Sequence, residues 1–133
     1  MYMVNEHRYS VLIIDDDAFL LDMYALKFTQ NAFEVSTAPG TLEALEKLRG
    51  GLKPEVIVVD LVMPTMDGFE FLEKVREEKL AEGVLIIILS NLGQEEDIQR
   101  GLSLGAAGYI IKASATPSEV VAKVEETIAK RKK

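Results

Sequence analysis

Residues 56–68 read Val-Ile-Val-Val-Asp-Leu-Val-Met-Pro-Thr-Met-Asp-Gly: four β-branched residues in a row, one carboxylate, then a turn. A continuous apolar run has no face left for water, so 56–59 is expected to be a strand covered on both sides, as in a parallel sheet. Asp60 then stands where that strand ends. A residue before proline is pushed toward extended backbone, so Met63-Pro64 predicts a turn. Asp67, with Glu70 three residues later, predicts the capped start of a helix.

The same pattern recurs outward in both directions. Val11-Leu-Ile-Ile14 runs into Asp15-Asp16-Asp17, the run 84–89 ends at Ser90, and Gly108-Tyr-Ile-Ile111 ends at Lys112. The segment 33–37 alternates instead, which predicts an edge strand. Between these runs lie helical patterns at about 18–31, 41–49, 68–79, 94–104 and 117–130, the last opened by the capping box Thr116-Pro117-Ser118-Glu119. Five strand–helix repeats with right-handed crossovers predict an α/β fold: a doubly wound (βα)5 three-layer sandwich. The strand order expected at this length is the flavodoxin-like 2-1-3-4-5. Ligands of such sheets bind beyond the carboxyl ends of the strands, at the switch point between strands 1 and 3. All the polar groups just named fall on that edge.

The 133 residues fit one domain spanning 1–133, with a core at about 9–130, an N-terminal extension 1–8 and a basic tail 130–133. With 48% hydrophobic and 28% charged residues the chain can bury a full core, which excludes global disorder. The formal charge is minus 7; Lys130, Arg131, Lys132 and Lys133 are all basic, so the first 129 residues carry 11 basic against 22 acidic residues, or minus 11. A body of that sign repels phosphate backbones and anionic lipid, arguing against nucleic acid or membrane as a direct partner. The absence of cysteine removes disulfide, zinc-ribbon and thiol chemistry. No run is long enough to span a bilayer and the start lacks a signal-peptide pattern, so a cytoplasmic location is expected.

Carboxylates gathered at one edge repel one another unless a cation neutralises them. The carboxylates at the ends of the first and third strands therefore predict a site for a hard, oxygen-loving ion. Mg2+ suits it best, with Mn2+ as a substitute, because magnesium needs only one or two carboxylates plus phosphate oxygens and waters. Asp17 reads as the cap of the first helix.

Taken together and in order, Ile-Ile-Asp-Asp-Asp (13–17), the stretch around Asp60, Ile-Ile-Ile-Leu-Ser (86–90) and Gly-Tyr-Ile-Ile-Lys-Ala (108–113) resemble a response-regulator receiver domain of two-component signalling, over nearly the whole chain. The resemblance implies a phosphoacceptor switch in which Asp60 takes a phosphoryl group from the phosphohistidine of a sensor histidine kinase or histidine phosphotransfer domain. It implies that Asp15, Asp16, Asp60 and the backbone carbonyl of Val62 hold Mg2+, and that Lys112 pairs with the phosphoryl oxygens. Ser90 would donate its hydroxyl and move toward the phosphate, with Tyr109 swinging inward behind it. The surface of the fourth helix, fifth strand and fifth helix, here about 94–130, would meet protein partners, as a monomer or a phosphorylation-dependent dimer.

Three positions depart from the family pattern. Ala113 stands where proline usually follows the lysine, which leaves open whether the Lys112–Ala113 peptide is cis or trans. Asn91 replaces a small residue after the switch serine, and Val62 is apolar where a polar residue could orient water. Val62 and Asn91 are expected to tune the rate, giving a long-lived aspartyl phosphate and at most slow autodephosphorylation, not enzymatic turnover. Two other readings compete. A pseudo-receiver would keep the fold as an interaction module without phosphorylation. A haloacid-dehalogenase-like phosphohydrolase would need an acid/base aspartate two residues after the nucleophile, where Val62 stands, and room for a cap domain. The sequence also leaves open whether this is a stand-alone receiver or part of a longer protein.

Overall fold

In the computed structural model, which describes residues 7–132, the chain alternates strand and helix five times: β1 Ser10–Ile14, α1 Ala18–Gln30, β2 Glu34–Ala38, α2 Thr41–Arg49, β3 Val56–Val59, α3 Gly68–Glu77, β4 Leu85–Ser90, α4 Glu95–Ser103, β5 Gly108–Ile111 and α5 Pro117–Arg131. Most of the expected extension 1–8, and Lys133 of the basic tail, lie outside the described residues. The sheet is parallel with order β2-β1-β3-β4-β5, so β2 is an edge strand as its alternation predicts.

Register makes the layers. Val11, Val56 and Leu85 stand side by side across β1, β3 and β4, and so do Leu12, Ile57 and Ile86. Successive side chains point to opposite faces. Leu12, Ile14, Ile57, Val59, Ile86 and Ile88 therefore join Leu45 and Leu48 of α2 and Phe71 and Leu72 of α3 in one core. Val11, Ile13, Val58, Ile87 and Leu89 join Leu21, Tyr24 and Phe28 of α1 and Val120, Val121 and Val124 of α5 in the other. Burying each large aliphatic side chain stabilises by about 1.5–3 kcal/mol, and a slip of one residue would exchange the two cores. The register of the central strands is fixed for that reason.

Element ends are set by caps. Asp67 accepts the N–H of Glu70 while the Glu70 side chain accepts from Asp67, and Thr116 and Glu119 repeat the arrangement at α5. Asp17 caps α1 by accepting the Leu20 N–H at 3.1 Å. Several boundaries move from the sequence expectation. α3 stops at Glu77 because Lys79 takes a positive φ of 54°, and α4 is shorter by one residue at each end because Gln94 and Leu104 are its caps. Strand β2 begins at Glu34, since the Phe33 N–H still donates to the Phe28 carbonyl at the close of α1. No peptide among the described residues is cis, so Lys112–Ala113 is trans and enters a single 3-10 turn, Lys112–Ser114.

Candidate functional site

β1 and β3 are neighbours, and their carboxyl ends deliver Asp15 and Asp60 to the same place. Both are buried, whereas Asp16, one residue further on, is exposed. Asp15 Oδ1 accepts the N–H of Asp17 at 2.9 Å, and Asp60 Oδ1 accepts the N–H of Val62 at 3.1 Å. These turns hold each carboxylate by one oxygen and leave the other aimed inward. Into that space comes Lys112 from the end of β5, its Nζ 2.6 Å from Asp60 Oδ2 and 2.7 Å from Asp15 Oδ2. The lysine side chain is only 9% exposed, so this is a buried ion triad and not a solvated surface charge.

Burial drags the Lys112 ammonium down, but its hydrogen bonds to Asp15 and Asp60 outweigh that and hold its pKa above the ordinary 10.5. Burial pushes the Asp15 carboxyl above its ordinary 3.8, against the pull of Lys112 and of the Asp17 N–H. Carboxylate oxygens of Asp15, Asp16 and Asp60 lie within 4.8 Å of one another. Three carboxylates and one ammonium leave a net charge of minus two on an all-oxygen donor set, which fits a divalent hard cation.

The second phosphate-facing candidate, Ser90, is fully buried at the end of β4, where its Oγ accepts the N–H of Leu92 at 3.3 Å. Tyr109 is half-buried on β5 and donates its hydroxyl to the Leu92 carbonyl at 2.5 Å. Burial, then the charges of Asp97 and Asp60, push that hydroxyl above its ordinary pKa. The ring lies along α4 at Gly101, where a Cβ would stand 3.4 Å from it and 2.5 Å from Ile88 Cδ1, so a side chain there would have to displace the end of Ile88. Val62 is 56% exposed beside Asp60, and its described contact with the site is through its N–H.

Three features escape sequence reasoning. Thr41 donates its hydroxyl to the Met66 carbonyl, tying the loop after Asp60 to the start of α2. Tyr24 is buried in the α1–α5 core, and after burial itself the charges of Lys112, Asp15 and Asp60 act on its hydroxyl; its spacing from Leu21 and Phe28 marks it as a core position. Asn91, expected only to tune the rate, accepts the N–H of Ala113 through its carboxamide oxygen at 2.9 Å.

Residues 11–125 match the family described as the response regulator receiver domain. The chain belongs to that family. Receiver domains are phosphoacceptor signalling modules of two-component systems, and this receiver shares their fold and sequence over most of its length. It is 35% identical over 111 residues to the chemotaxis protein CheY of Treponema pallidum, covering 81% of this chain and 75% of that protein. It is 34% identical over 128 residues to a protein-glutamate methylesterase/protein-glutamine glutaminase of Syntrophomonas wolfei, covering 95% of this chain but only 36% of the relative. Identity to the phosphate regulon transcriptional regulatory protein PhoB of Escherichia coli is 30%, over 86% of this chain and 49% of PhoB. The receiver thus spans only a third to a half of the larger relatives. Among solved structures, the chemotaxis response regulator CheY4 of Vibrio cholerae superposes with a TM-score of 0.82 at 29% identity, covering 91% of this chain and 99% of that one. A CheY-like receiver from Methanospirillum hungatei gives 0.84 at 28%, covering 95% and 98%. No helix among the described residues is long and apolar enough to cross a membrane.

Proposed function

We propose that the receiver is a phosphorylation switch and that Asp60 is its phosphoacceptor. The observation that carries this reading is the sharing of the Lys112 ammonium between Asp15 and Asp60 at the switch point of the sheet. An Asp60 carboxylate oxygen forms a bond to phosphorus as the bond from phosphorus to the donor's imidazole nitrogen breaks, and the nitrogen keeps the electron pair. Lys112 is already placed to follow the charge onto the phosphoryl oxygens, and Ser90, one strand away, has a hydroxyl to offer another. Asp15, Asp16, Asp60 and the Val62 carbonyl would hold Mg2+, or Mn2+ in its place, which supplies neutralisation of the phosphoryl oxygens when bound.

A histidine kinase or histidine phosphotransfer domain is the proposed protein donor, and acetyl phosphate can stand in for it as a small-molecule donor. The α4, β5 and α5 surface is the output face, because Tyr109 and the loop after Ser90 connect it to the site. The exposed apolar side chain of Val62 offers no group to activate water, which supports an aspartyl phosphate lasting minutes or longer in Mg2+ buffer; a half-life of seconds would sink that part.

The test is incubation with acetyl phosphate and Mg2+ followed by intact mass, for the wild type and Asp60→Asn. A phosphoryl adduct that needs Mg2+ and is absent from the variant is expected. A folded wild-type protein that neither gains an adduct nor binds Mg2+ would leave an interaction module that only retains the fold.

A further inference from the structure

Asn91 follows Ser90 directly, and Ala113 follows Lys112 directly. These two residues, each one step beyond a proposed phosphoryl-binding group, are hydrogen-bonded to each other. We propose that Asn91 is a positioning residue that ties the Ser90 loop to the Lys112 loop, so that the two phosphoryl-binding groups are set as one unit; this rests on the phosphoacceptor reading of Asp60.

The geometry explains why a side chain is needed there. The ladder between β4 and β5 ends with Ser90 opposite Ile111. Beyond it the chain turns into the 3-10 segment Lys112–Ser114, whose bond runs from the Ala115 N–H back to the Lys112 carbonyl. As the second residue of that turn, Ala113 has an N–H with no acceptor inside the turn, like the first amides of any helix. The Asn91 carboxamide supplies the acceptor and adds one rung to the ladder, 2.9 Å long, at the turn that carries Lys112. Without it the backbone of the 3-10 turn loses its hydrogen bond to the Ser90 loop, and the aim of a long lysine side chain depends on that turn.

The same loop is held on its other side. Tyr109 donates to the Leu92 carbonyl, and the Leu92 N–H donates to Ser90 Oγ. Residues 90–92 are thus bound to β5 through Tyr109 and to the turn that follows β5 through Ala113. Ser90 Oγ accepts from Leu92, so its own O–H is free to donate to a phosphoryl oxygen. Any shift of the 90–92 backbone that accompanies this is passed through the Asn91 tether to Ala113 and the turn that carries Lys112.

The test compares wild type, Asn91→Ala, Asn91→Asp, which keeps an acceptor oxygen, Ala113→Pro, where the donor is gone, and the double variant Asn91→Ala with Ala113→Pro. Three readouts are taken on the full chain: hydrogen exchange of the Ala113 amide, the NMR signal of the Lys112 ammonium, and the initial rate of phosphorylation by acetyl phosphate with Mg2+. Asn91→Ala should speed Ala113 exchange by about 3–10-fold, the range of one partly exposed hydrogen bond. It should also broaden the Lys112 ammonium signal and slow phosphorylation at least about 3-fold. Asn91→Asp should restore the Ala113 protection and the Lys112 signal. In the Ala113→Pro background, adding Asn91→Ala should change the rate by less than about 1.5-fold, the mark of two groups acting through one contact.

An Ala113 amide that exchanges freely in the wild type overturns the proposal. So does an Asn91→Ala variant with unchanged Lys112 signal and rate, since the bond would then hold only its own loop. If the wild type takes no phosphoryl group, the function reading fails separately, and Ala113 exchange with the Lys112 signal still decides the tether.

Discussion

Lys112 Nζ sits 2.6 Å from Asp60 Oδ2 and 2.7 Å from Asp15 Oδ2, one buried cation between the two buried carboxylates of the described residues. Removing one partner of a buried ion pair typically costs about 3–5 kcal/mol, because the remaining charge stays desolvated. Lys112→Met is expected at the lower end of that range, since Asp15, whose carboxyl burial already pushes up, can relieve the repulsion by taking a proton. Urea unfolding without divalent ions measures the loss. Mg2+ should recover part of it in the variant, because a cation bound only to the folded state stabilises by mass action. A variant as stable as wild type would mean that the triad merely offsets its own desolvation.

Gly68 begins α3 against the backbone of the phosphoacceptor candidate. A Cβ there would lie 2.5 Å from the Asp60 carbonyl oxygen and 2.7 Å from Leu61 Cα, both main-chain atoms with nowhere to rotate. Gly68→Ala is therefore expected to lower stability by about 1–3 kcal/mol through overpacking. Its more specific effect is displacement of Asp60 from Lys112, read as a slower acetyl phosphate reaction and shifted Asp60 and Leu61 amide resonances. Wild-type resonances at both residues would show that α3 slides away without disturbing the site.

What could be read from the sequence was what strand geometry carries. Four apolar runs each ended in a polar residue, and parallel strands place such ends on one edge, so Asp15, Asp60, Ser90 and Lys112 were legible as neighbours before any distance was known. The two-sided burial of residues 11–14 and 56–59 followed from their having no polar face. The loops were not legible in this way. Asn91 and Ala113 are 22 residues apart and meet only because one loop leaves β4 and another leaves β5 with particular turns, and Thr41 meets Met66 across 25 residues for the same reason. Helix ends shifted by a residue or two because caps such as Gln94 and the left-handed Lys79 are decided by local hydrogen bonding and not by periodicity.

Tyr109 contributes a single hydrogen bond from its hydroxyl to Leu92, while its ring fills the space that Gly101 leaves against α4. Tyr109→Phe keeps the ring and removes the bond, so the expected loss of stability is small, about 0.5–1.5 kcal/mol. The loop should respond more than the fold: amide exchange at Leu92 and Gly93 is expected to quicken while the β4 core stays protected. Uniform quickening across β4 would instead make Tyr109 a structural support for the sheet.

At the opposite end of the sheet Glu55 joins the starts of β1 and β3. Its Oε1 accepts the Ser10 N–H at 3.0 Å and its Oε2 lies 2.8 Å from His7 Nε2. Burial alone would raise its pKa, but the Ser10 N–H and then His7 outweigh that and hold the carboxyl below its ordinary 4.5. A carboxyl depressed in the folded state contributes stability that is fully present above the unfolded value and is lost as pH falls through the folded one. The window therefore opens below pH 4.5. The side chain is 40% exposed, so solvent screening limits the contribution to less than about 1 kcal/mol. Glu55→Gln keeps an acceptor for Ser10 but has no charge to lose, so its stability should lie slightly below wild type at neutral pH and the two curves should converge on acidification. Thermal melts of both proteins between neutral pH and about pH 3 make the comparison, and a gap that persisted at the acid end would assign the effect to side-chain shape instead of charge.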